Sequence, residues 1–590
     1  MSAIPLRSTL RLVALRSSPH LASLCLALAT SAALFGCGDD DVVGAPTDAG
    51  TDAPTTPDAG PPPNWDFAEP PAAETIETGV RREIFRVPGV TAPANPTTSA
   101  TTPVELAETQ VVRYREDVTP PKAARSIVVA YPGTFGGAGS YDALARALVK
   151  RGAASGETTE VWAIDRRSNL LEDLRGMSTA RAMNDTEIAQ SYYYGRGTID
   201  GAPFAGFRDQ DAVDYMSEWG LATLLDDLRR VIALVPAADR QAHVFLMGHS
   251  AGAGVVESYA AWRFGDGATG TRGAEELAGV ILVDGASQGA AISEAEYHAG
   301  VSGGFAPLSG IDALRADGPR YVELPALGVG VLVTAEIMSM RALADPDGVV
   351  EDRERDRVLS TLFSIPRGLV PNFTNRAALG FGFDDESNGI PIFSCSLGKP
   401  TGGTVETKDG LFGPVVYPTD PDATYDWIDA LAAAPPEHTP VENLALSWAA
   451  GRTNYADWYY PSRLPLDQNA VGPNAIAEGS WQAMEGLRAF DGPLMDAPLL
   501  AVAAALAGAS GYEDVRARIG PAVGAGRPQA GATRGAAGEN TAGFRVVDAT
   551  ALTHLDALAA ADDPTNPVPA AVEAFLREHA ASSTVTIPAM

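Results

Sequence analysis

Cysteine is scarce, at three residues in a chain of 590. Cys25 and Cys37 lie close to the N-terminus, so Cys395 alone belongs to the body of the chain. One thiol cannot close an internal disulfide, which excludes the disulfide-stapled folds and leaves stability to a core; Cys395 reads as a small buried residue. Clusters of Cys and His at zinc spacing are also missing, and no Gly-rich segment has the lysine and helix context of a nucleotide site. Two acidic stretches, Asp345-Pro-Asp-Gly348 and Asp384-Asp-Glu386, fall short of the ligand spacing of a calcium loop. No metal and no cofactor is therefore expected.

Positive charge is in short supply as well: 43 Lys and Arg face 74 Asp and Glu, a formal net charge of −31. Such a chain repels nucleic acid and anionic lipid, and its acidity needs no partner beyond water. Long apolar runs are absent except over residues 21–34, which follow Arg7, Arg11 and Arg16. That run is too short to span a bilayer and ends in Leu34-Phe-Gly-Cys37, so residues 1–36 read as a secretory signal peptide. Its removal takes the net charge to −34, because it carries those three arginines and no acid. The ending resembles the lipobox of bacterial lipoproteins, with Phe35 where a smaller residue is usual. The resemblance implies acylation of Cys37 and a membrane anchor in the cell envelope, on the inner or outer membrane. Residues 37–75 are rich in Asp, Thr, Ala, Pro and Gly with little to bury, as a disordered tether would be.

About 520 residues remain, enough for one large domain with an insertion. Alternating patterns over residues 82–88 and 109–114 suggest half-exposed strands, and the apolar run 126–131 a buried parallel one. A helix is expected over 141–151, a strand over 160–164, an amphipathic helix near 216–234 and strands at 244–247 and 277–283. Far downstream come strands at 498–505 and 544–547 and a last helix at 568–579. Such alternation predicts a mostly parallel, eight-stranded α/β sheet. Between about 291 and 490 the alternation stops. This stretch reads as an insertion that divides the core into 76–290 and 491–590. Its Trp448, Tyr455, Trp458, Tyr459, Tyr460 and Trp481 fit either an apolar substrate wall or the insertion's own core.

Within the core, Val244-Phe-Leu-Met-Gly-His-Ser-Ala-Gly252 reads as strand, sharp turn and helix presenting Ser250, with Gly248 and Gly252 giving the room that a strained turn demands. Gly-x-Ser-x-Gly occurs twice more, around Ser287 and Ser302, but only Ser250 has a convincing strand before it and helix after it. A serine hydroxyl needs a base, normally a histidine oriented by a carboxylate. His249 adjoins the serine, His243 opens its strand, and neither can easily reach Oγ. His554 follows the last strand, where the carboxyl edge of a parallel sheet brings it to the serine.

Strand order, nucleophile turn and late histidine together resemble the α/β-hydrolase superfamily over residues 76–290 and 491–590. The resemblance implies an insertion between the sixth and seventh strands and an acid between the serine and the histidine. Two placements fit: Asp284, at the end of Val280-Ile-Leu-Val-Asp-Gly285, and Glu513 or Asp514 further on. The backbone N–H of Ala251 and one from Thr134 or Phe135, in Tyr131-Pro-Gly-Thr-Phe-Gly-Gly137, are expected to form the oxyanion hole. The segment Asp165-Arg-Arg-Ser-Asn-Leu-Leu-Glu-Asp173 should hold loop salt bridges on the same edge. Expected function is cleavage of a small-molecule or lipid-like ester through an acyl-enzyme. Amide cleavage or acyl transfer would use the same triad, and a catalytically silent surface-binding module is the reading from another class. Serine at the turn, where dehalogenases and epoxide hydrolases carry aspartate, argues against their chemistry.

Overall fold

Nine strands make one sheet in the computed structural model, which describes residues 74–265, 270–302, 307–323, 328–350, 368–388, 390–410, 413–449, 455–519 and 543–587. The segments read above as signal peptide and tether, Cys37 among them, lie outside the described residues except for 74 and 75. In chain order the strands are β1 (Glu74–Glu77), β2 (Val80–Pro88), β3 (Glu108–Glu116), β4 (Ser126–Tyr131), β5 (Thr159–Asp165), β6 (Val244–His249), β7 (Gly279–Val283), β8 (Leu499–Ala503) and β9 (Phe544–Asp548). Their order in space is β1-β2-β3-β5-β4-β6-β7-β8-β9. The first three pair antiparallel and the other six are parallel. This is the α/β-hydrolase arrangement, with one strand more than the eight expected. The extra strand, β1, reads Glu-Thr-Ile-Glu; one apolar residue among polar ones leaves no periodic signal, and the strand is held by Glu74 against the buried Arg82.

The period-two pattern of the central strands sorts their side chains into two cores. Ile127, Val129, Leu246, Val280 and Leu282 share one face with Leu224 and Leu228 of α2 (Leu221–Ile232) and Val255 and Val256 of α3 (Ala251–Ala261). Val128, Ala130, Phe245, Met247 and Ile281 pack on the other face against Leu144 and Leu148 of α1 (Asp142–Ser155) and Val572 and Phe575 of helix Pro567–His579. Burial on both faces is why β4 and β6 are uninterruptedly apolar up to their carboxyl ends. The chain leaves β4 toward β5 on one side and enters β6 on the other, so a crevice opens at the carboxyl ends of β4 and β6.

The long helix expected over 216–234 is broken. A turn of helix ends at Glu218, Gly220 is extended, and α2 starts at Leu221. The cause is tertiary: the buried carboxylate of Asp467 accepts from the Leu221 N–H at 2.9 Å, in space that a side chain at position 220 would fill.

Residues 291–490 enter after β7. Three of their helices, α4 (Gly330–Ala344), α5 (Asn375–Phe383) and α6 (Val441–Trp448), pack together beside a three-stranded sheet of Asn372–Phe373, Thr424–Asp429 and Gly398–Thr401. A second excursion, between β5 and α2, joins them: the Tyr194 hydroxyl donates to the Gly330 carbonyl at 2.6 Å, and the Tyr193 ring meets Trp458 edge-on. Cys395 is buried and unpaired. Among the described residues, no helix is long and apolar enough to cross a membrane.

Candidate active site

Ser250 sits between β6 and α3 with φ 56° and ψ −128°, a conformation that non-glycine residues adopt only under strain. A methyl group at Gly248 would overlap the Gly252 carbonyl, and one at Gly252 would overlap the carbonyls of Tyr131 and Pro132. The flanking glycines are thus required by contact as well as by the turn. The Ser250 N–H donates to the Val283 carbonyl at 2.9 Å, tying the turn to the end of β7.

Close packing also accounts for the second Gly-x-Ser-x-Gly. A side chain at Gly285 would overlap the Ser250 carbonyl, so this glycine supports the turn from below. Ser287 Oγ accepts from Asn474 Nδ2 at 2.6 Å and its N–H donates to buried Glu257, a structural role. Ser302 is solvent-exposed beside the short strand Gly300–Val301.

His554 lies in the loop after β9, with Nδ1 2.7 Å from Asp284 Oδ2. Because a carboxylate only accepts, this bond puts the proton on Nδ1 and leaves Nε2 with its lone pair. Asp284 ends β7 with φ 47°, and its carboxylate also accepts from the N–H groups of Ala507 at 2.8 Å and Leu506 at 3.3 Å. Three bonds to the charged form hold it oriented, although the residue is wholly buried. Glu513 and Asp514 stand elsewhere. They occupy the exposed face of helix Gly508–Ile519, whose inward positions are Tyr512, Val515 and Ile519, and Glu513 pairs with Arg516.

His249, set aside above because it cannot swing onto Oγ, serves the site differently. Its Nε2 lies 3.0 Å from the His554 carbonyl, and the two rings are 4.4 Å apart. Burial, and then the neighbouring His554, push its pKa well below the ordinary 6.5, so it is a neutral donor that holds the loop carrying His554. Its place inside the serine motif was the one available signal.

Ser250, His249 and His554 face a cleft of about 370 Å³, open mouth included, whose other walls include Gly133, Thr134, Ile392, Phe393, Tyr455 and Leu555. Of the six aromatics singled out in the insertion, only Tyr455 lines it. Trp448 stacks on Tyr455, Trp458 donates to Glu336, the Tyr459 hydroxyl accepts from the Arg208 N–H, Tyr460 lies under Arg166, and Trp481 packs on Tyr297. Thr134 reaches the cleft, while Phe135 is buried with φ 54°. Among the described residues, no protein group accepts from the N–H groups of Ala251, Thr134 or Phe135. The helix dipole adds positive potential at Ala251.

The segment after β5 does carry ion pairs: Arg166 with Asp457 and Arg167 with Asp227, both buried, and Asp173 with the partly exposed Arg175. Asp165 accepts from the Ala138 N–H and from Gln110. In the insertion, Glu437 joins Asp384 and Asp385, their carboxylates within 4.8 Å of one another. That third carboxylate arrives from a distant segment, which spacing within Asp384-Asp-Glu386 could not reveal. Burial, then Asp385 and Glu437, raise the Asp384 pKa well above the usual carboxylate range.

No family model matches the chain, and no curated protein matches its sequence. Solved structures similar to it include a proposed lipase from Sulfolobus solfataricus, at 12% identity and a TM-score of 0.40, covering 85% of this chain and 96% of that one. An alpha/beta hydrolase fold protein from Nakamurella multipartita is 14% identical at a TM-score of 0.32, covering 84% and 99%. A thermophilic esterase from Thermogutta terrifontis is 11% identical at 0.28, covering 84% and 98%. At these scores the fold rests on the strand order of the molecule itself, which is that of the α/β hydrolases.

Proposed function

We propose that the protein is a serine hydrolase cleaving an uncharged carboxylic ester with a short acyl group. One observation carries the reading: the buried Asp284–His554 hydrogen bond, which leaves His554 Nε2 basic in the cleft that Ser250 faces. His554 takes the Ser250 Oγ proton as Oγ bonds to the ester carbonyl carbon. The negative charge that develops on oxygen is received by the N–H of Ala251 and that of Thr134 or Phe135. As the intermediate collapses, the C–O bond breaks and the alcohol leaves with the proton from His554. Water, deprotonated by the same imidazole, then attacks the acyl-enzyme and releases the acid.

Substrate class follows from the walls. Among the described residues no lysine or arginine lines the cleft, and Ile392, Phe393, Tyr455 and Leu555 favour apolar groups. The 370 Å³ of the cleft includes its open mouth, so the enclosed space is smaller still, which favours a small acyl part. Export and anchoring through Cys37 in the cell envelope are supported by the N-terminal sequence alone. Replacing Cys37→Ser is expected to move the protein from the membrane fraction to the soluble one.

The test treats the form starting after Cys37 with a fluorophosphonate, locates the adduct by peptide mass spectrometry, and assays p-nitrophenyl esters of rising chain length. Labelling of Ser250 in native but not heat-denatured protein, with turnover best for short acyl chains, is expected. Adducts at Ser287 or Ser302, or no labelling together with no turnover, would sink the reading.

A further inference from the structure

Arg166 has no place in the transfer of the Ser250 proton, yet its guanidinium is buried against the loop that should bind the oxyanion. Nη1 donates to the Gly136 carbonyl at 2.8 Å; Nη2 donates to the carbonyls of Pro132 at 2.5 Å and Gly133 at 2.7 Å. The cation lies over the rings of Tyr131 and Tyr460, 5.1 and 5.0 Å from their centroids, and is countered by Asp457 at 3.3 Å. Asp457 belongs to the insertion, is wholly buried, and its own N–H donates to the Phe135 carbonyl at 2.7 Å. The carbonyls of residues 132, 133, 135 and 136 are therefore all engaged on this pair.

A trans peptide plane points its N–H opposite to its C=O. Holding the Gly133 carbonyl on Arg166 thus turns the Thr134 N–H away from the guanidinium, and Thr134 lines the cleft. A cation on the carbonyl side also polarises the same peptide and strengthens its N–H as a donor. Lysine could not do this, since three carbonyls at separate positions need the fixed fork of a guanidinium.

We propose that Arg166, locked by Asp457, is a positioning residue that aims the 132–136 loop at the developing oxyanion and so governs binding of the transition state rather than of the ester. The proposal rests on the serine-hydrolase reading, and it ties the insertion to the chemistry: the counter-ion that fixes Arg166 is supplied from there.

Its test compares wild type with R166K and with R166M/D457N, the double variant avoiding a buried carboxylate left without its partner. Readouts are kcat and KM on the best p-nitrophenyl ester, and inhibition by a trifluoromethyl ketone, which forms a tetrahedral adduct on the serine. In R166M/D457N, kcat is expected to fall about 100-fold with KM within about threefold, as for loss of one oxyanion donor. Ketone inhibition should weaken by a similar factor while the fluorophosphonate still ends on Ser250; R166K should fall between. Unchanged kcat in a folded variant, or a loss confined to KM with ketone inhibition intact, overturns the proposal. If the double variant does not fold, R166K decides, and full activity there overturns it. Absence of Ser250 labelling in the wild type instead removes the hydrolase reading, a result separate from any variant.

Discussion

His554 Nδ1 lies 2.7 Å from Asp284 Oδ2, with both side chains buried and the carboxylate further held by two backbone N–H groups. The D284N variant would present an amide N–H where the imidazole needs an acceptor and favour the wrong tautomer. Its kcat on the best ester is expected to fall about 10⁴-fold, the scale of that error in a serine triad. E513Q and D514N, on an exposed helix face, should match wild type. Equal activity in all three would remove Asp284 from the triad.

His249 makes a pH-dependent contribution whose sign can be worked out. Its folded pKa lies well below 6.5, so as pH falls the unfolded chain takes up the proton first. The stability it contributes is complete above the ordinary value and declines below it, by about 1.4 kcal/mol per pH unit until the folded value is reached. An H249N variant keeps a donor for the His554 carbonyl and has no such titration. Denaturation midpoints from pH 7 to pH 4 should therefore fall more steeply for wild type than for H249N, and parallel curves would sink the assignment.

What the sequence shows clearly is what local contacts dictate. The apolar runs of β4 and β6 and the glycines at 248 and 252 carry their signal within a few residues of chain, although Gly252 also faces the distant carbonyls of Tyr131 and Pro132, so the turn and its serine are legible. Asp284 is legible as a candidate because a strand end fixes its place. Elements set by distant partners are not. The break at Gly220 is imposed by Asp467, the role of Arg166 depends on carbonyls 30 to 34 residues earlier in the chain, and β1 has no pattern of its own. The hold on the histidine loop is equally remote: Asp556 accepts from Thr553 N, from the Thr439 hydroxyl 117 positions away and from Ser396 N 160 positions away. The insertion thus braces the loop carrying His554, and no sequence window contains both.

Asp384 carries the opposite pH signature from His249. Its carboxyl is buried beside Asp385 and Glu437, and its folded pKa is raised, so the native state keeps a proton that the unfolded chain has lost. Stability must then decline as pH rises from the ordinary carboxylate value of 3.8 through the raised one. D384N removes the titration; its carbonyl oxygen can still accept from the Leu397 N–H, while the Glu386 N–H loses the oxygen it bonds. With a chelator present, wild type should lose stability relative to D384N by about 1–3 kcal/mol as pH rises from 4 to 8, the usual cost of an unsatisfied buried polar group. A difference between the two that stays constant from pH 4 to pH 8 would show that the carboxylate cluster carries no such strain.

Gly133 gives the sharpest separation of activity from folding. A methyl group there would lie 2.8 Å from Ser250 Cβ, closer than real Cβ atoms approach, and a tight 3.0 Å from the His249 carbonyl oxygen. The loop cannot retreat to make room, because Arg166 holds the carbonyls on either side of Gly133 Cα. Ser250 cannot move either, since its N–H is bound to Val283 and Gly285 lies against its carbonyl. In G133A the strain therefore falls on the geometry between nucleophile and oxyanion donors. Overpacking of this kind should lower stability by about 1–3 kcal/mol, which leaves the protein folded. Ester turnover and the rate of fluorophosphonate labelling should drop about 100-fold, the usual penalty for misplacing reacting groups by an ångström. G289A, where nothing lies within 4 Å of the added methyl group, is the control and should keep most of both. If G133A labelled as fast as G289A, Gly133 would not bound the nucleophile's space, and the oxyanion loop would have to be sought elsewhere.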